Sequence, residues 1–149
     1  MTKTFELCVS SSLKTLAEIS DFVVSVADKW DIGDTALFAM QMAVDEACAN
    51  VIEHAYGGSA DGTICVTLRA ESGDAIITIR DRGHPFDPSG VPRPDPTAPL
   101  EKRGEGALGL YLMERLMDSV AFHFDAVEGN TLIMKKRLHG ADETIGSEH

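Results

Sequence analysis

Glu46 and Asn50 stand four residues apart in Asp45-Glu46-Ala47-Cys48-Ala49-Asn50-Val51-Ile52-Glu53-His54-Ala55-Tyr56. In a helix they lie one above the other, one turn apart. A carboxylate stacked on a carboxamide can hold a hard, oxygen-preferring cation next to a base. The same spacing also suits a solvated helix face, which is the commoner meaning of such a pair seen alone. A second group is Asp81-Arg82-Gly83-His84-Pro85-Phe86-Asp87-Pro88, at the end of a strand pattern. A third is Gly104-Glu105-Gly106-Ala107-Leu108-Gly109-Leu110, preceded by Lys102 and Arg103 and running into a helical pattern. Glycines there let backbone amides approach an anion, and a helix N-terminus adds partial positive charge. This segment lacks the spacing of the phosphate-loop lysine motif and of the dinucleotide fingerprint.

The elements that must position these groups follow from periodicity. Leu37, Met40, Val44, Ala47 and Val51 recur at helical steps, so Glu46 and Asn50 flank an apolar stripe. Asp34 is the expected N-cap, and Gly57-Gly58 sets the end near Tyr56. Before it, Phe5, Leu7 and Val9 alternate as a strand, and Leu13, Leu16, Val23, Val26 and Trp30 keep helical spacing, with Thr15-x-x-Glu18 as a weak capping-box match. After it, Ile64, Val66 and Leu68 mark a second strand, Glu71-Ser72-Gly73-Asp74 a hairpin turn, and Ala75 to Asp81 a third strand. The adjacent Ile76 and Ile77 suggest that both faces of that strand are covered. All six prolines fall between Arg82 and Gly106, a long aperiodic stretch that reads as a lid or a surface excursion. A helix follows from Leu108 to Met117, then strands around Val120 to Phe124 and Thr131 to Leu138. This order predicts an α+β fold: one mixed, mostly antiparallel sheet with helices on one face.

The chain has 149 residues, 44% of them apolar, and a formal net charge of −11. That size suits one domain with a full core. That charge argues against nucleic acid held through a basic patch and against docking on an anionic membrane. A bound phosphate must be met locally, by amides, a cation or a few basic side chains. The three cysteines, Cys8, Cys48 and Cys65, are scattered and read as reduced core residues without a disulfide framework. With no apolar leader and no bilayer-length run, the expected location is the cytoplasm.

The ordered set of three groups resembles the nucleotide-binding boxes of the GHKL ATPase superfamily, and most of all those of the bacterial anti-sigma-factor serine/threonine kinases. Glu46-Ala47-x-x-Asn50-x-x-x-His54-Ala55-Tyr56 looks like their first box and Asp81-Arg82-Gly83-x-Pro85-Phe86-Asp87-Pro88 like their second. Gly106-Ala107-Leu108-Gly109-Leu110-Tyr111-Leu112, followed by Leu116-Met117-Asp118, looks like the third, and Gly129-Asn130-Thr131 is also similar. The resemblance implies a two-layer α/β sandwich of the Bergerat type over residues 1–138; residues 139–149 are polar, lack a core pattern and read as a frayed, disordered tail. It implies ATP and Mg2+ as cofactors. Asn50 would supply the metal's protein oxygen, and Glu46 would be the general base toward an incoming hydroxyl. Asp81 would accept from the adenine amino group, Gly83 would let the base lie against the backbone, and Thr131 would complete the base contacts. Arg103, Gly104, Gly106, Ala107, Leu108 and Gly109 would close over the phosphates.

The implied partners are a sigma factor and a small antagonist protein that is phosphorylated, with a homodimer as the assembly. Seen singly, Asp81 also fits a strand-end turn and Thr131 an ordinary strand position, and His54 has no catalytic role. Ala107 departs from the pattern, since these kinases usually carry glycine there, and its methyl group occupies space beside the phosphates. It keeps a second function class open: a nucleotide-dependent protein-binding module without catalysis. The catalytic half of a two-component histidine kinase is disfavoured, because the first helix holds no histidine.

Overall fold

Alternation on the strands and periodicity on the helices converge on one buried layer. In the computed structural model the described residues are 3–85 and 105–138, excepting the side chains of 105–109. The chain runs β1 (Thr4–Ser10), a 3-10 turn (Leu13–Thr15), α1 (Leu16–Trp30), α2 (Asp34–Asn50), a π-type turn (Val51–Ala55), β2 (Thr63–Glu71), β3 (Asp74–Asp81), α3 (Glu105–Leu116), β4 (Ser119–Asp125) and β5 (Gly129–Arg137). The sheet order is β1-β2-β3-β5-β4, and all four pairings are antiparallel.

The register decides what faces the helices. Ile64, Val66 and Leu68 of β2, Ala75, Ile77 and Ile79 of β3, and Leu132 and Met134 of β5 are buried on one face. Against them pack Ile19, Val23 and Val26 of α1, Met40, Val44 and Ala47 of α2, and Met113 of α3. Each such aliphatic side chain contributes roughly 1.5–3 kcal/mol on burial. The opposite face is mostly polar: Thr67, Thr78, Arg80 and Lys135 lie there by alternation. Ile76 and Ile133 are apolar positions on it. Of these, Ile76 is the more buried. It points away from the helices yet is only 5% exposed, flanked by its register partners Arg69 and Lys135. The β2–β3 hairpin turns through Ser72 (φ 54°) and Gly73 (φ 87°), the paired left-handed conformations that a two-residue turn requires.

Several local expectations are corrected. Gly33, not Asp34, is the N-cap of α2, and Asp34 is the helix's first residue. Thr15 makes no capping hydrogen bond, because its hydroxyl donates to the carbonyls of Ser10 (2.9 Å) and Ser12 (2.7 Å). Leu13 lies in the 3-10 turn and is exposed, so the buried stripe of α1 starts later.

The expectation of three reduced core cysteines is overturned. Cys8 and Cys65 face each other across β1 and β2 with Cα atoms 4.0 Å apart and form a disulfide, with Cys8 exposed and Cys65 partly so. Only Cys48 is a buried free thiol. A separation of 57 residues carries no pairing signature; the strand register supplies the pair.

The last turn of the long helix is also not regular. Tyr56 N–H donates to the Val51 carbonyl (3.0 Å) and Gly58 N–H to that of Ile52 (2.8 Å), so the turn is wider than an α-helical one. Such widened turns often occur at functional positions. Here the widening hands the Ala55 carbonyl to a neighbour in β3's exit segment, where His84 N–H donates to it at 2.7 Å.

Candidate functional site

The widened helix end and the end of β3 enclose a cavity of about 380 Å3. That lies in the range of roughly 300–1,000 Å3 common to small-molecule sites. Its walls are largely apolar: Ala47 and Val51 from the helix, Ile79 from β3, Met113 from α3, Phe122 from β4 and Leu132 from β5. Polar groups are few and come from separate elements. Asn50 enters from α2, His54 from the π-type turn, Asp81 from β3, His84 from the segment after it, His123 from β4, and Asn130 and Thr131 from β5.

Asp81 is the only buried carboxylate among the described residues. Strand alternation puts it on the inner face with Ile77 and Ile79, at the end of β3. Its Oδ1 accepts from Gly83 N–H (2.9 Å) and from the Asn130 amide Nδ2 (2.7 Å). Both of these hydrogen bonds fall on Oδ1, and the residue lines the cavity. That leaves Oδ2, accessible from the cavity, as an acceptor for a donor placed there.

The surrounding backbone is held tightly. Tyr56 donates its hydroxyl hydrogen to the Thr63 carbonyl (2.8 Å), and its oxygen accepts from Arg82 N–H (2.8 Å). One phenol thereby joins the helix end, the start of β2 and the exit of β3. Ser11, fully buried, links the start of the chain to the same region by donating to the Ser59 carbonyl (2.5 Å) and accepting from Gly62 N–H (2.9 Å).

The sequence-predicted residues fall as follows. Asn50 and Asp81 line one cavity from opposite elements. Glu46 lies one turn before Asn50 on α2, partly buried, outside the cavity wall. Its carboxyl is held above the ordinary value of 4.5 by burial first, then by the charges of Asp45 and Glu53. Gly83 does not line the cavity; its missing side chain faces Ala55. Thr131 lines the cavity, but its register partner is Arg80 on the outward face, whereas Asn130 pairs with Asp81. Arg103 and Gly104 lie outside the described residues, as do residues 86–104 of the stretch from Arg82 to Gly106 read as a lid or surface excursion. Gly106, Ala107, Leu108 and Gly109 lie in α3, with their side chains outside the description.

Sequence reasoning missed Asn130 and Tyr56. The signal for Asn130 was its parity with Leu132 and Met134, which places it on their face of β5. The buried Cys48, one turn before Ile52, has its thiol pushed up to about 12 by burial, then by the charges of Asp45 and Asp81. It belongs to the buried core and does not line the cavity.

A five-stranded antiparallel sheet with its helices on one face, and a cavity between the long helix and the end of β3, is the α+β arrangement of the GHKL ATPases. The chain matches the family model of the Histidine kinase-like ATPase domain over residues 9–136, and it belongs to that family. It is 36% identical over 104 residues to the serine-protein kinase RsbW of Bacillus licheniformis, covering 67% of this chain and 64% of that one. It is 30% identical over 137 residues to the serine-protein kinase RsbW of Bacillus thuringiensis (strain Al Hakam), covering 89% and 84%. Its fold matches the crystal structure of the RsbU and RsbW domains of a Mycobacterium tuberculosis protein with a TM-score of 0.66 at 16% identity, over 91% of this chain and 32% of that one. It also matches a blue-light activated histidine kinase of Erythrobacter litoralis with a TM-score of 0.54 at 17% identity, over 72% and 32%. The likeness to named serine-protein kinases supports a serine/threonine kinase activity.

Proposed function

We propose that this protein is an ATP-dependent serine/threonine kinase of the anti-sigma type, which phosphorylates a small antagonist protein and sequesters a sigma factor by exchanging partners. One observation carries the reading: Asn50 and Asp81, from different elements, line a single apolar-walled cavity, with Glu46 one turn from Asn50. The donor set fits ATP·Mg2+. Asp81 Oδ2 is an acceptor suited to an exocyclic amino group, the apolar walls suit a base, and the Asn50 side-chain oxygen is a hard ligand that needs only phosphates and waters to complete a Mg2+ shell. Bound ATP supplies a transferable phosphoryl group. Asp81 orients the base, Asn50 holds the metal end, and Glu46 takes the proton of the incoming serine or threonine hydroxyl at its carboxylate. Its raised proton affinity makes it a better base than an ordinary glutamate.

The cytoplasm is the proposed location, and the proposed assembly is a homodimer that engages neither nucleic acid nor membrane. The net charge of −11 supports that choice of partners. Among the described residues no helix is long and apolar enough to cross a membrane. The departure at Ala107 favours a second reading, a nucleotide-dependent binding module without turnover.

The test is a pulldown with and without ATP to recover the partners, followed by phosphotransfer from labelled ATP to the recovered antagonist. Label on a serine or threonine with wild type, and none with Glu46→Gln, supports the kinase. ATP binding without transfer by either protein selects the binding module. No ATP binding overturns both readings.

A further inference from the structure

We propose that Asn130 is a positioning residue that sets base selectivity, acting through Asp81. This rests on the reading of the cavity as a nucleotide site and adds to it the residue that fixes the polarity of base recognition. Asp81 and Asn130 are direct register partners at the end of the β3–β5 ladder, so both side chains lie on the helix-facing side, where the cavity opens.

The Asn130 amide nitrogen is 2.7 Å from Asp81 Oδ1 and 3.1 Å from the Gly83 carbonyl oxygen. Those two contacts employ both of its N–H groups. Asp81 Oδ1 takes a second hydrogen bond from Gly83 N–H at 2.9 Å. Three groups therefore close a small ring, Asp81–Asn130–Gly83, in which every donor is spent inside the ring. What remains for the cavity is acceptor only: Asp81 Oδ2, with no partner among the described residues, and the Asn130 side-chain oxygen, likewise without one.

A site of that polarity recognises an N–H donor, and in the pose that brings the 6-substituent of a purine to Asp81 the 6-amino group of adenine meets it. In the same pose the 6-oxo group of hypoxanthine or guanine presents lone pairs to the same oxygens, and that mismatch is unfavourable. Without the Asn130 amide, Asp81 keeps only the Gly83 N–H, its carboxylate can rotate about its terminal torsion, and the fixed acceptor is lost. Thr131 also lines the cavity, but its register partner is Arg80, so it does not stand opposite Asp81.

The experiment is calorimetry on the full chain with ATP·Mg2+ and inosine triphosphate·Mg2+, which differ in the 6-substituent of the base and in the proton on N1. Wild type is expected to prefer ATP. Asn130→Ala is expected to lower the ATP-to-inosine-triphosphate affinity ratio by roughly tenfold or more, the effect of one hydrogen bond to a charged group. Asn130→Thr, which returns a hydroxyl donor to a strand position, is expected to recover most of the ratio, and it serves if the alanine variant fails to fold. A general loosening of the site would weaken both nucleotides alike and leave the ratio unchanged. An unchanged ratio in a folded Asn130→Ala, or, when Asn130→Thr alone can be read, a ratio that falls by about tenfold from wild type, overturns the proposal. Failure of wild type to bind ATP overturns instead the nucleotide reading on which it stands.

Discussion

Gly83 and Ala55 interlock the two walls of the cavity. A Cβ built on Gly83 would stand 2.6 Å from the Ala55 carbonyl carbon and 2.8 Å from the Ala55 Cβ, while His84 N–H already donates to the Ala55 carbonyl at 2.7 Å. The exit of β3 therefore lies against bare backbone at the widened end of the long helix. Gly83→Ala must push those walls apart, since the obstacle is backbone and cannot rotate away. The expected outcome is a loss of roughly 2–3 kcal/mol of stability, of the order seen for overpacking, with ATP affinity falling in parallel. Urea denaturation and calorimetry on one preparation check it. A variant as stable as wild type would show that the two segments can part at no cost.

Glu46 gives a prediction with a definite sign in pH. Its folded carboxyl binds a proton more tightly than the ordinary 4.5, chiefly through burial and then through Asp45 and Glu53. For a group raised in this way, the stabilising contribution is fully present below the unfolded value and is lost as pH rises through the folded one. At neutral pH the ionised side chain therefore costs the fold stability. Glu46→Gln is expected to melt higher than wild type at pH 7–8, with the gap closing as pH falls below 4.5. Phosphotransfer should move the other way, falling about 100-fold or more with the base removed. Melting curves across pH, set beside transfer assays, separate the two effects. A variant that loses stability and activity together would make Glu46 a structural residue.

Much of this was legible from residues that answer to one element. Met40, Val44 and Ala47 are buried because their own helix turns them inward, and Ile64, Val66 and Leu68 because a strand alternates. What escaped depends on how two elements meet. The pairing of Cys8 with Cys65 needs the β1–β2 register. The choice between Asn130 and Thr131 needs to be known from which side of β5 faces Asp81, and a glycine-asparagine-threonine string does not show where the strand starts to alternate. That a side chain at Gly83 would strike Ala55 also depends on how β3's exit meets the helix end, which the motif alone does not show. The widened turn at Val51–Ala55 has no composition signal, because its residues also suit a regular helix.

Asp81 and Asn50 should fail differently. Asp81→Asn keeps the shape but replaces one carboxylate oxygen by a donor, so either the Asn130 amide or the cavity meets the wrong polarity. ATP affinity is expected to fall by roughly 30- to 100-fold, in the range for a hydrogen bond to a charged group plus an unpaired buried neighbour. Asn50→Ala should spare binding of adenosine, which has no phosphates, and remove most of the gain that Mg2+ gives to ATP. Titrations of adenosine and of ATP, each with and without Mg2+, distinguish the ends of the site. Equal loss of adenosine binding in both variants would mean that Asn50 does not serve the metal end.

The Cys8–Cys65 bond closes a loop of 57 residues that contains α1, α2 and the π-type turn. Tying so long a loop restricts the unfolded chain by roughly 4 kcal/mol in the chain-entropy description. Cys8→Ser is therefore expected to unfold about 2–4 kcal/mol more easily than the oxidised wild type, and a reductant should bring wild type down to the variant. Alkylation adds an independent count. Cys48 is buried with its thiol pushed up to about 12, so the native oxidised protein should take up no label, the reduced native protein two, and the reduced unfolded protein three. If the cytoplasm is the working compartment, its reducing poise keeps the dithiol form dominant there, and the less stable protein is the one that acts. Equal denaturation curves for wild type and Cys8→Ser without reductant would show that the bridge does not constrain the chain.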